Sequence, residues 1–183
     1  PMFPIHVITK VDLEFIPSNY KELTGDKSAM DAIICFKTAD GKDGFIAIET
    51  KYSENLGTNE ASNTDKAIET IRQLSCFNSD FEERINKKKT KLTQIYRNFL
   101  LSERYGLWIG AESYSIVLSP ELHPSTDDEV LSVTNEMRPE YKGKLQSITL
   151  ESFTNKLISE SPEEYAEIFR RFRDRYLSFD RVE

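Results

Sequence analysis

Cysteine and histidine are nearly absent from this chain, and that scarcity narrows its chemistry. Cys35 and Cys76 are the two cysteines, and His6 and His123 the two histidines, in 183 residues. Two distant thiols give no disulfide framework, so a reduced, cytoplasmic setting is the expectation. Neither histidine has a cysteine or an acid at ligand spacing, which argues against zinc. The 7 glycines form no phosphate-cradling loop. Gly110-Ala111-Glu112-Ser113-Tyr114 lacks the second glycine of a nucleophile elbow. No apolar run approaches a membrane span. The opening PMFPIHVITK has two prolines and only a short apolar run, so it does not read as a signal peptide. Positive charge is also short, with 24 Lys and Arg against 31 Asp and Glu, for a net charge of −7. That balance disfavours non-specific coating of nucleic acid.

What is present begins with the stretch from Met30 to Glu54, MDAIICFKTADGKDGFIAIETKYSE. Asp31 to Lys37 and Gly44 to Tyr52 are apolar and rich in strand formers, and the turn cluster between them contains Asp40-Gly41. This predicts an antiparallel hairpin centred near Gly41, with Asp31 opposite Glu49 or Lys51. Side chains alternate faces along a strand, and directly opposed residues share a face. Asp31, Glu49 and Lys51 all have odd numbers, so they should converge at one end of the hairpin. A one-residue slip in register would scatter them.

Nearly continuous apolar strands predict a sheet covered on both sides. Ionisable groups in such a place require a reason, since two carboxylates ~4 Å apart repel by roughly 4 kcal/mol at an effective dielectric of 20. Lys51 offsets part of that, and a bound cation would offset more. Oxygen donors without thiolates select Mg²⁺ or Mn²⁺ over Zn²⁺. The same three residues also fit a plain ion pair at a strand end, Lys51 with Asp31 or Glu49.

The rest of the chain alternates strands with helices, which gives the α/β class with a mixed sheet. Val7 to Ile16 reads as a strand, Tyr20 to Ser28 as a loop or short turn, and Asn55 to Asn63 as a polar loop. A helix runs from Asn63 or Thr64 to about Phe77. A second starts near Asp80 and breaks within the lysine run. A third spans about Thr90 to Tyr105, with Gly106 as its C-terminal cap. Tyr114 to Leu118 is a short buried strand, Asp127 to Glu140 a helix, and Leu145 to Ile148 a further strand. A helix then runs from Thr149 or Glu151 to about Ser159. A last amphipathic one opens at Pro162 and ends at Leu177, with Tyr165, Ile168, Phe169, Phe172 and Tyr176 on one side. Trp108 and the tyrosines are packing residues on the simplest reading, with a base-stacking platform as the other. Lys87, Lys88, Lys89 and Lys91, with Arg84 before them, form the one strong cationic cluster, either a phosphate contact or a solvated helix end.

Asp31, the run Ile46-Ala47-Ile48-Glu49-Thr50-Lys51, and a following helix that carries Gln94 together resemble the PD-(D/E)xK nuclease superfamily. The strings I-E-T-K-Y-S-E and Q-I-Y-R-N-F-L-L resemble a restriction-endonuclease-like group within it. The resemblance covers about Glu14 to Leu177 and implies a three-layer α/β/α sandwich around a central mixed sheet. It implies Mg²⁺-dependent hydrolysis of DNA, with RNA cleavage or a catalytically inactive binding module as alternatives. Asp31 and Glu49 would ligate the metal, with the Thr50 carbonyl as a further ligand. Lys51 would orient or activate water, so that its removal spares the fold. Gln94 would flank the site, and Arg97, Asn98, Lys88 and Lys89 would meet phosphate. Gln94 and Asn98 could equally be an ordinary i, i+4 pair on a helix surface, and Arg97 a structural salt bridge.

Two departures from the family pattern stand out. Met30 replaces the usual proline before Asp31. Too little chain precedes Val7 to supply the helix that carries an extra glutamate in many members. Pro1 in place of an initiator Met leads to the expectation of one domain over residues 1–183, with that helix upstream in a longer protein. Glu14 and Glu54 are the substitutes in hand. DNA is the expected partner and a membrane is not, while a homodimer stays open.

Overall fold

The order of residues along the first three strands dictates how the fold begins. The computed structural model describes residues 3–25, 27–53, 65–87 and 92–178. Strand β1 (Val7–Phe15) is followed by a single helical turn α1 (Tyr20–Leu23), then by β2 (Met30–Lys37) and β3 (Asp43–Thr50). The turn between β2 and β3 closes through the Thr38 N–H to the Lys42 carbonyl (2.9 Å) and the Gly41 N–H to the Thr38 carbonyl (2.9 Å). Gly41 sits at φ +82°, a conformation in which a Cβ would be strained, so Asp40-Gly41 can reverse the chain there. Three helices follow, α2 (Asp65–Leu74), α3 (Ser79–Asn86) and α4 (Gln94–Ile109), and then β4 (Glu112–Ser119). Helix α5 (Thr126–Glu136), a 3-10 turn (Pro139–Lys144), β5 (Leu145–Thr149), α6 (Leu150–Glu160) and α7 (Glu163–Tyr176) complete the described elements.

The five strands lie in chain order, β1-β2-β3-β4-β5. The first two pairings are antiparallel and the last two parallel. Helices cover both faces. Ile33, Phe45 and Ala47 pack with Leu101 of α4, and Val117 and Leu145 join the core built by α2 to α5. Phe36, Ile46, Ile116 and Leu118 face the other way, onto Leu150 and Leu177 beside α6 and α7. From Ile33 to Ile48, odd positions of the hairpin face α4 and even positions face α6 and α7, as strand alternation requires, while at the start of β2 Met30 also packs on the α4 side. The fold is a mixed-sheet α/β sandwich.

Several elements differ from the sequence expectation, among them α2, which ends at Leu74 rather than about Phe77, and three differences have a non-local reason. The third helix does not stop at Gly106 but runs on to Ile109, and Gly110 caps it in the left-handed conformation at φ +69°. Gly106 serves a close approach instead, because a Cβ there would lie 2.9 Å from the Ala111 carbonyl and 3.1 Å from Ser113. Helix α5 ends at Glu136 rather than Glu140. Met137 turns extended to bridge Phe77, and Pro139 starts the 3-10 turn. The apolar side of α7 is largely uncovered, with Tyr165 and Ile168 more than half exposed and Ala166 as the helix's buried residue. Strand β1 lies at the sheet edge with Val11 56% and Leu13 76% exposed. Among the described residues no helix is long and apolar enough to cross a membrane.

One buried charge far from the β3 end shapes stability. Glu103 of α4 is 4% exposed, accepts from the Ser113 hydroxyl at 2.6 Å and meets the Lys144 ammonium at 3.1 Å. Burial pushes its carboxyl above the ordinary value, with Lys144 and Ser113 pulling back. A folded pKa raised above the unfolded one gives stability that is full below the unfolded value and is lost as pH rises through the folded value. Ionised Glu103 is thus a cost at neutral pH. Glu103→Gln is expected to keep or raise the melting temperature at pH 7. It is also expected to remove the part of the wild type's pH dependence that lies just above the ordinary carboxylate range. Thermal melts from pH 4 to 8 check this, and an unchanged profile would assign the pH dependence to other groups.

Candidate active site

The β2–β3 ladder runs from Lys37–Asp43 to Ala32–Ile48. Continued one step past the last paired residues, the same register would set Asp31 against Glu49. The Thr50 N–H, just past the last ladder pair, donates to Asp31 Oδ2 at 2.6 Å. The aspartate therefore closes the hairpin where β2 turns away to pair Met30 with Phe15 of β1. β3 continues along β4, and the Lys51 N–H donates to the Leu118 carbonyl at 2.7 Å. That bond fixes Lys51 at the C-terminal end of the parallel pair.

Glu49 and Lys51 are the buried charges of this end, each side chain 8% exposed. Lys51 Nζ lies 2.7 Å from Glu49 Oε1. Helix α4 crosses this face and brings two amides to the same carboxylate. Gln94 Nε2 donates to Oε1 at 2.7 Å, and Asn98 Nδ2 donates to Oε2 at 2.8 Å. Gln94 and Asn98 are one turn apart, so a single helix face delivers both. Gln94 is also the first residue of α4, where the positive end of the helix dipole favours a nearby anion. A buried carboxylate is tolerable when each oxygen has charged or polar donors, and this one has three side-chain donors. Gln94 and Asn98 are therefore not an idle surface pair.

A family model of the PD-(D/E)XK nuclease superfamily matches residues 1–178. The chain belongs to the PD-(D/E)XK nuclease superfamily. Comparison with curated proteins and with solved structures gives no match. Members of this superfamily are mostly nucleases and typically use divalent metals, so membership sets the general chemistry to be expected at the end of β3.

The donor set can be tested for such an ion on its own chemistry. Among the described residues no three side chains of Asp, Glu, His or Cys gather closely enough to hold a metal unaided. The oxygen donors at this end of the hairpin are the buried Glu49 carboxylate, the exposed Asp31 carboxylate, one oxygen of which accepts from the Thr50 N–H, and the Thr50 carbonyl. Mg²⁺ is bound through one or two carboxylates and keeps several waters, so this sparse set fits Mg²⁺ or Mn²⁺. Glu14, a possible further acid, lies on β1 between the Leu13–Ala32 and Phe15–Met30 pairs, level with Asp31. It is exposed and has a positive φ of 50°. Glu54, Lys88 and Lys89 lie outside the described residues. Arg97 is half-buried on α4. Asn98, expected to meet phosphate, instead has its amide drawn onto Glu49.

One polar residue near this end was not picked out from the sequence. Ser115 of β4 is paired with Ala47 of β3 and is 6% exposed. Its one local signal is a hydroxyl inside the apolar run Tyr114-Ser115-Ile116-Val117-Leu118.

Proposed function

We propose that this chain is a Mg²⁺-dependent nuclease that hydrolyses phosphodiester bonds in DNA, with Asp31 and Glu49 as metal ligands and Lys51 as the active amine. The observation that carries this reading is the convergence of Lys51, Gln94 and Asn98 on Glu49 at the end of β3, where Asp31 accepts from the Thr50 N–H. A bound divalent ion supplies neutralising charge at the phosphate and lowers the pKa of a water. The chain's own groups do the rest. The Asp31 oxygen left free by Thr50, the Glu49 carboxylate and the Thr50 carbonyl would hold the ion. The Lys51 ammonium offers positive charge to the non-bridging oxygens as charge builds in the transition state. Gln94, with its N–H₂ on Glu49, keeps its amide oxygen as an acceptor that can orient a water. Arg97, one turn along α4 from Gln94, supplies a guanidinium suited to phosphate.

A second reading is a domain of this fold that binds nucleic acid or protein without cutting. It draws on the two converging acids where a second metal would call for more. Incubation of the purified chain with plasmid DNA and with RNA, in Mg²⁺, Mn²⁺ or EDTA, separates the readings. DNA cleavage that EDTA abolishes is expected. Cleavage of RNA alone would move the substrate, and no cleavage together with no Mn²⁺ binding would favour the binding module. Asp31→Asn is expected to weaken Mn²⁺ binding roughly tenfold or more, measured by calorimetry. Asparagine can still accept from the Thr50 N–H, so the hairpin end should survive. Equal affinity would make Asp31 purely structural.

A further inference from the structure

Behind Glu49, between the sheet and α4, lies a cavity of about 20 Å³ lined by Glu49, Asn98, Ser115, Ala47, Phe99 and Val117, among others. Its walls are mostly apolar, with Glu49, Asn98 and Ser115 as the polar exceptions. Asn98 Oδ1 and Ser115 Oγ are fully shielded from solvent and find no hydrogen-bond partner among the described residues. An unsatisfied buried polar atom keeps its desolvation cost with nothing to offset it, and two orphans at one small cavity are a pattern that calls for a shared partner. A cavity needs roughly 10–15 Å³ of this measure to hold one water.

The orientation of Asn98 is set by its other end. Its Nδ2 donates to Glu49 Oε2 at 2.8 Å, and the flipped amide would press an oxygen against that carboxylate. The Asn98 oxygen must therefore turn away from Glu49. Ser115 approaches from the sheet, on the odd-numbered face of β4 that also presents Ser113 to Glu103 of α4.

We propose that this cavity is the binding site of a single structural water, held by Asn98 Oδ1 and Ser115 Oγ, that locks the Asn98 amide and through it the Glu49 carboxylate. The water donates one hydrogen to Asn98 and shares a second bond with the serine hydroxyl, which can donate or accept. Ser115 is then a positioning residue that touches neither metal nor substrate. This rests on the nuclease reading for its consequence but not for its existence.

Threonine and valine at position 115 share a shape and differ in the hydroxyl, so they form the test. A high-resolution crystal structure of the metal-free wild-type protein is expected to show one ordered water between Asn98 and Ser115. By calorimetry with Mn²⁺ alone, Ser115→Thr is expected to bind like wild type and Ser115→Val about three- to tenfold more weakly. In cleavage assays the Val variant should need more metal for half-maximal rate while its rate at saturating metal stays near wild type. Ser115→Ala, which removes the hydroxyl without adding bulk, supplies the same comparison if the Val variant fails to fold. A dry cavity in that crystal structure, or equal Mn²⁺ affinity with and without the hydroxyl, overturns the proposal. Either result leaves the nuclease reading standing, provided Asp31→Asn still weakens Mn²⁺ binding. If Asp31→Asn binds as tightly as wild type while the water is seen, the nuclease reading fails and the water site stands.

Discussion

Lys51→Ala is expected to reduce DNA cleavage at least about 100-fold in kcat and also to destabilise the protein by about 3–5 kcal/mol. The second half of that result comes from the structure. As a catalytic amine read from sequence, Lys51 should be removable without harm to the fold. In the molecule its ammonium lies 2.7 Å from Glu49 Oε1, with both side chains almost wholly buried. Its removal takes away the ammonium that faces this desolvated carboxylate. A cation that settles at Glu49 would stand in for the missing ammonium, so Mn²⁺ is expected to raise the melting temperature of Lys51→Ala by more than it raises that of wild type. Thermal melts of both proteins across a Mn²⁺ titration check this. Equal shifts would mean that the ion does not meet Glu49, and wild-type cleavage by the variant would remove Lys51 from the reaction.

A loss of stability as large, about 3–5 kcal/mol, is expected from Phe99→Ala. Phe99 is 0% exposed. It sits in the middle of α4 among residues drawn from α2, α3, α5 and the sheet, with its ring 6.1 Å from that of Phe77. Its deletion removes apolar contact and opens space that close-packed neighbours cannot refill. Because Phe99 follows Asn98 and lines the same cavity, the void adjoins the face that holds Glu49. Urea unfolding followed by circular dichroism measures the change. A loss under about 1 kcal/mol would show that α4 relaxes onto the sheet and closes the space.

The hairpin was readable because its information is local. The Asp40-Gly41 turn fixed the register, and the shared parity of Asp31, Glu49 and Lys51 followed from strand alternation alone. Gln94 could be placed on a helix beside the site, but what it touches could not be read. The bonds from Gln94 and Asn98 to Glu49 span 45 and 49 residues, and only the docking of α4 decides which helix face meets the carboxylate. The end of α4 was hidden for a similar reason. Gly106 has the composition of a cap, but its lack of a side chain answers a contact with Ala111 and Ser113 across the next turn. Ser115 lies inside a buried strand and gives no further sign in the sequence, because Asn98, which lines the same cavity, comes from a distant helix. The helix α7 shows the converse, a strong apolar periodicity whose covered side is narrower than the pattern suggests.

The bond from the Thr50 amide to Asp31 carries a lesson about decay of function. The carboxylate is a joint in the scaffold, and under the proposed function it is also a tool offered to an ion. A descendant of this chain that had stopped cutting would still need the joint, and selection for folding alone would keep an aspartate or asparagine there. An acid at that place is therefore weak testimony that a family member still works. The amide oxygen of Gln94 has no such second duty among the described residues, and its loss would be the earlier sign of retirement.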